Sequence, residues 1–266
     1  MQQLGRTQPT EQTMPGRQRI HAQVCSVMLV AIMLLSGCAA APKGQAYDPI
    51  EKVNRATFSF NDFFDRIALK PLSQGYTTVM PKKGQIMVSN FFDNATYADT
   101  IINDFLQGKG KQGFADLGRF TVNTTLGIGG LFDPATSIGL AEHDEDFGQT
   151  LGVWGFGPGA YVVVPVYGPH TVRSLPHLAT GALTSALFWS GFFLAPAITI
   201  PLAVLSAADL RSRASNAIRF VNESALDPYV FTREAWIQHR TFLIYDGDPP
   251  ETEDEFDDED FSDEDF

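Results

Sequence analysis

The chain has 266 residues and a formal net charge of −12, but eleven of its carboxylates crowd into residues 251–266, where there is no Lys or Arg, so residues 1–250 carry only −1. A nearly neutral body with an acidic tail excludes the basic face that nucleic-acid phosphates demand. The two cysteines, Cys25 and Cys38, both precede residue 39, which excludes a disulfide framework or a thiolate metal site in the body.

The amino terminus reads as a targeting segment. Arg17, Arg19 and His21 precede an apolar run over residues 24–35 that has signal-peptide length and is short for crossing a bilayer. The tetrapeptide Leu35-Ser36-Gly37-Cys38 that follows resembles a bacterial lipobox. That resemblance implies cleavage before Cys38 and acylation of its thiol. Stable anchoring takes at least two acyl chains, which a lipoprotein terminus supplies. The alternative is an uncleaved anchor with a buried cysteine. Ala39, where Asp would retain a lipoprotein at the inner membrane, directs the chain to the outer membrane. Translation starts at Met1 or Met14. The expected organisation is a signal peptide over 1–37, an acylated linker over 38–47, a helical domain over 48–246 and an acidic tail over 247–266.

The body reads as all-α. Asp48 is placed to cap a helix, with Pro49 at its first position and Glu51 completing a capping box. Behind them Val53, Ala56, Phe60, Phe63, Phe64 and Ile67 recur at helical spacing, predicting an amphipathic helix that ends near Lys70-Pro71. Further helices are predicted over 82–93, 96–107 and 110–126, with Gly108 and Gly110 punctuating the last two. Asp133-Pro134 marks a turn or helix start. Helices over about 207–225 and 228–244 close the domain, the second opened by Asp227-Pro228.

Two stretches break this pattern. Residues 148–168 hold six glycines among apolar residues and read either as a hairpin-like loop or as a β-hairpin over a core. Residues 174–208 contain no Asp, Glu, Lys or Arg, and Pro196 and Pro201 interrupt them. Two short helices joined at a bend are predicted, lying in one membrane leaflet or buried in a core. The tail alternates acidic runs with Phe. Self-repulsion favours disorder, with a weak cation or partner contact as the alternative.

Catalytic patterns are missing: there is no G-x-S-x-G elbow and no phosphate loop, and Leu126-Gly127-Ile128-Gly129-Gly130 lacks the spacing of a dinucleotide site. His143-Asp144-Glu145-Asp146 reads as a solvated acidic turn rather than a metal cluster, because adjacent side chains diverge. His170, His177 and His239 show no partner pattern. No enzyme activity, cofactor or metal is expected.

A family resemblance rests on many motifs in one order. Asp48-Pro49-Ile50-Glu51-Lys52-Val53-Asn54-Arg55, Ser89-Asn90-Phe91-Phe92, Asn103-Asp104-Phe105-Leu106-Gln107-Gly108, Gly118-Arg119-Phe120, and the run from His143 to Gly152 with Trp154-Gly155 all resemble the MlaA/VacJ lipoproteins, as do Asp227-Pro228-Tyr229 and Arg233-Glu234-Ala235. The resemblance covers about residues 48–246. It implies a ring of amphipathic helices in the inner leaflet of the outer membrane, with a central channel for phospholipid leaving the outer leaflet. It implies two protein partners, a trimeric outer-membrane porin and a periplasmic lipid carrier. By the same resemblance Gly155, Gly157, Gly159 and Tyr161 belong to a gating loop beside the channel, and Asn61 and Asp62 to the channel helix. The chain departs from the family where Ser174 follows Arg173, where Ala160 replaces a frequent Pro, and in its acidic tail. The competing reading is an adaptor lipoprotein that scaffolds an envelope complex without conducting lipid.

Overall fold

A computed structural model describes residues 47–250. The signal peptide, Cys38, most of the linker and the tail from residue 251 lie outside the described residues. What is described is mostly helical.

Helix α1 (Glu51–Phe64) runs through a π-helical turn (Asp65–Leu69) into α2 (Lys70–Val79). The helix therefore passes the predicted stop at Pro71. Proline lacks an N–H and crowds the carbonyl four residues back. The π turn relieves both problems, with the Lys70 amide bonding to the Asp65 carbonyl, one residue further than in an α-helix. The predicted cap also differs. Asp48 makes no cap bond; its side chain, 3% exposed, takes Asn54 Nδ2 at 2.8 Å, Arg233 at 3.1 Å and the Tyr229 hydroxyl. Glu51 instead pairs with Arg55 one turn along, at 2.7 Å.

Next come α3 (Lys82–Thr96), α4 (Ala98–Leu106), α5 (Gly110–Thr125), a single turn α6 (Pro134–Ser137) and α7 (Phe147–Val153). Asp133 and Asp146 cap the last two through the amides of Thr136 and Gln149. The hairpin lies later than the glycine-rich string suggested. β1 (Tyr161–Val164) pairs antiparallel with β2 (Gly168–Thr171), Tyr161 opposite Thr171 and Val164 opposite Gly168. Gly148 and Gly152 fall in α7, and Gly155 to Gly159 in the loop between α7 and β1.

The charge-free stretch forms three helices where two were expected: α8 (Leu175–Thr184), α9 (Ala186–Phe193) and the start of α10 (Pro196–Arg213). The unforeseen break is at Ser185, whose extended backbone and Oγ, accepting the Leu187 amide at 3.2 Å, make it an N-cap. Pro196 opens α10, where its missing N–H costs nothing, while Pro201 sits inside it without ending it. The helix expected over 207–225 is divided. Its first part completes α10, and α11 (Ser215–Ser224) follows a turn at Ala214. There the Ser215 hydroxyl donates to the Arg211 carbonyl at 3.0 Å, competing with the helical bond. α12 (Pro228–Ile244) has the predicted bounds, capped by Asp227.

Polarity is distributed inside out. Of the buried side chains among the described residues, eighteen are polar or charged and nine apolar, so burial of apolar surface alone does not organise this fold. Meanwhile Phe192 and Phe193 of α9 are 68% and 83% exposed, and Ile200 of α10 is 62% exposed. No helix among the described residues is long and apolar enough to cross a membrane.

The interior is a hydrogen-bonded network, as buried polar groups require. Asp116 accepts the Tyr97 hydroxyl at 2.8 Å and faces His143 Nδ1 at 3.0 Å. Glu145 takes Gln107 and Lys109, each at 2.7 Å, and Asp146 takes Arg240 at 2.8 Å. The acidic turn is thus not solvated as expected: Glu145 and Asp146 are buried on separate partners. Arg119 reaches Asp133 and the Leu140 carbonyl at 2.8 Å and Glu142 at 3.2 Å. His177, for which no partner was expected, lies 3.3 Å from Asp99.

Candidate functional site

α1 and the hairpin are joined by two asparagines two helical turns apart. Asn54 Nδ2 donates to the Tyr161 carbonyl and Asn54 Oδ1 accepts the Val163 amide, both at 2.9 Å. Asn61 repeats the pattern on Val164 and Val166, at 3.0 and 2.8 Å. Because i and i+7 share a helix face, the two amides act together as a surrogate neighbouring strand for β1. Tyr161 is 1% exposed, packed edge-on at 6.2 Å against both Tyr229 and Trp236 of α12.

This arrangement leaves a cavity of about 970 Å³ between α1, the hairpin tip and α9 to α11. Small and apolar side chains dominate its wall, among them Leu187, Leu202, Ala203, Ala207, Ala217, Ile218 and Val221. A polar strip interrupts them: Asn61, Asp62, Asp65 and Arg211, with Asn222 and Thr232. Arg211 reaches across from α10 to grip Asp65, with Nη2 2.9 Å from Oδ2 and Nε on Oδ1, while Nη1 donates to Ser215 Oγ at 2.9 Å. The carboxyl end of α10 is itself pinned. Asp209 accepts Ser89 Oγ at 2.9 Å and Tyr76 OH at 3.2 Å, and pairs with Arg213 at 3.1 Å. An amphipathic wall with a few fixed polar groups suits a ligand that has one charged end and a large apolar body.

Of the residues singled out from sequence, Asn61 and Asp62 stand on the cavity wall. Gly155, Gly157 and Gly159 lie in the 154–160 loop and Tyr161 in the aromatic cluster, none of them on the wall. Gly155 and Gly159 have φ of +89° and +66°, left-handed conformations that suit glycine. The loop is tethered by Arg173, which donates to the Phe156 carbonyl at 2.8 Å. Arg173 thus binds backbone, and Ser174 closes a turn on Thr171 through its hydroxyl. Asp65 and Arg211 were missed. Their signals were present: Asp65 is three residues beyond Asp62 on the same helix, and Arg211 is the first cation after the long charge-free stretch.

Comparison with known proteins adds an independent line. Residues 46–243 match the family model described as MlaA lipoprotein. The chain is 31% identical to the intermembrane phospholipid transport system lipoprotein MlaA of Haemophilus influenzae, over 82% of this chain and 89% of that one. It is 30% identical to the protein of the same description from Escherichia coli, over 84% and 89%. A Rickettsia bellii protein is 35% identical over 74% and 76%. A solved structure concerned with the structural basis for maintenance of bacterial outer membrane lipid asymmetry aligns with a TM-score of 0.63 and 30% identity, covering 74% of this chain and 98% of that one.

Proposed function

The chain belongs to the MlaA lipoprotein family, and from that premise we propose that it transports phospholipid between the membranes of a bacterial envelope, taking it from the outer leaflet of the outer membrane. The observation that carries this reading is the cavity, with its largely apolar wall and its charged cluster of Asp62, Asp65 and Arg211. A lipid headgroup is costly to place among acyl chains. The strip offers the head polar partners while the rest of the wall accommodates the tails, lowering the barrier to passage.

In this reading the helices form a ring set in the inner leaflet of the outer membrane, and Phe192, Phe193 and Ile200 belong to its lipid-facing belt. Acylated Cys38 tethers the ring. The loop with Gly155, Gly157 and Gly159 gates the passage, with Tyr161 as its fixed root, and Asn61 and Asp62 form part of the channel helix. A trimeric porin holds the protein in place, and a periplasmic carrier takes the lipid onward. The protein acts by passage rather than by chemistry. The domain limits are those read from the sequence: 1–37 removed, 38–47 a linker, 48–246 the transport domain and 247–266 a tail.

Deleting the gene tests this. Surface labelling of intact cells is expected to find phospholipid accumulated in the outer leaflet, with detergent sensitivity, and both reversed by the full chain. An unchanged outer leaflet in the deletion strain contradicts the proposal.

A further inference from the structure

The cavity wall carries three formal charges, those of Asp62, Asp65 and Arg211. Asp65 and Arg211 cancel each other through the two-pronged pair already described. Arg211 nevertheless keeps two N–H groups beyond its bonds to Asp65 and Ser215, because a guanidinium has five donors. Asp62 is the excess charge. Its partner Arg66, at 2.8 Å, is 64% exposed and is not on the wall. Such exposed pairs contribute little and exchange readily. The wall therefore presents the Asp62 carboxylate, held only by an exposed partner, and beside it the Arg211 guanidinium, brought from α10 onto Asp65 and keeping spare donors.

We propose that this strip selects phospholipids whose phosphodiester carries a cationic nitrogen over anionic phospholipids. The phosphate sits against the spare Arg211 donors and the ammonium against Asp62. Arg211 is anchored on Asp65, three residues from Asp62, and residues three apart on a helix are about 5–6 Å apart at Cβ, so the carboxylate and the guanidinium are neighbours on the scale of a small zwitterionic head. A glycerol-type head brings a negative phosphate with no cation. Its phosphate is repelled by Asp62, and it brings no cation of its own to offset that repulsion. The inference rests on the reading of the cavity as a phospholipid passage and adds the headgroup class.

The test uses the full lipidated chain, purified in detergent and equilibrated with equimolar phosphatidylethanolamine, phosphatidylcholine and phosphatidylglycerol. Retained lipid is counted by native mass spectrometry. An Ala203→Trp/Ala217→Trp chain, with the cavity obstructed, supplies the background from lipid on the outer surface. The two zwitterionic lipids are expected to exceed phosphatidylglycerol by about tenfold. Asp62→Asn is expected to bring the ratio near unity and Asp62→Lys to invert it. Equal or preferential retention of phosphatidylglycerol by the unmodified chain overturns the inference, as does a ratio unmoved by Asp62→Asn. Absence of any lipid above background overturns the passage reading along with it, and so is distinguishable.

Discussion

Asn61 holds Val166: its side-chain carbonyl accepts the Val166 amide at 2.8 Å while its Nδ2 donates to the neighbouring Val164 carbonyl at 3.0 Å. Val166 has φ of +69°, a conformation that a β-branched residue rarely adopts. The hairpin tip, part of the cavity wall, is thus strained and kept in place from α1. Asn54 does the same at the other end of β1, fully buried. Asn54→Ala is expected to cost about 3 kcal/mol, because it orphans buried groups, and Asn61→Ala about 1 kcal/mol, because water reaches its partners. Thermal unfolding in detergent checks the order. Equal losses contradict it.

The Asp65–Arg211 pair makes a sharper prediction. Removing one partner leaves a charge stranded against an apolar wall, so Arg211→Ala is expected to destabilise by about 3–5 kcal/mol. The neutral double variant Asp65→Asn/Arg211→Gln keeps hydrogen-bonding shapes without the charges, and is expected to regain most of that loss. A double variant no more stable than Arg211→Ala shows that the pair is not what joins α10 to the π turn.

Burial, together with a hydrogen bond to Asp116 and its charge, pushes the Asp104 carboxyl up from 3.8 to about 8. The folded state therefore holds a proton that the unfolded chain releases. Stability from this group is greatest below about pH 4, falls as pH rises and levels off beyond about pH 8. Asp104→Asn is expected to flatten that decline, since an amide keeps a donor toward Asp116. Melting temperatures at pH 5, 7 and 9 check this. A slope identical to that of the unmodified chain contradicts it.

The loop glycines separate packing from motion. A Cβ at Gly157 meets nothing within 4 Å, whereas one at Gly159 meets Val172 at 3.0 Å on a left-handed backbone. Gly157→Ala is expected to leave stability unchanged, and Gly159→Ala to lower it by about 1–2 kcal/mol. If the loop gates passage, Gly157→Pro lowers lipid transfer in a chain that still melts normally. Transfer at the unmodified rate points instead to a static loop.

Much of the helical order was legible in the sequence, because Asp227-Pro228, the Gly108 punctuation and apolar periodicity act locally. Other features were settled at a distance. Asp48 looked like a cap, yet Arg233 and Tyr229, far along the chain, claim its carboxylate. The π turn that carries α1 past Pro71 leaves no local mark. Ser185 is an ordinary N-cap hidden in an apolar run, where attention falls on the prolines. The acidic turn at 143–146 looked solvated because its partners, Asp116, Lys109, Gln107 and Arg240, come from α5, α12 and the α4–α5 junction. On the cavity wall, Asn61 and Asp62 are positions that the family resemblance singles out. The pairing of Asp65 with Arg211 was not legible, because it depends on how α10 packs against α2 and the π turn.

The most direct measurement obstructs the cavity and leaves the rest of the chain alone. Ala203 and Ala217 stand on its wall, and Ala203→Trp/Ala217→Trp narrows it with two indole rings. In cells carrying this folded, membrane-localised variant, surface labelling is predicted to find outer-leaflet phospholipid as abundant as in the deletion strain. An outer leaflet indistinguishable from that of cells with the unmodified chain would mean that lipid does not pass through this cavity.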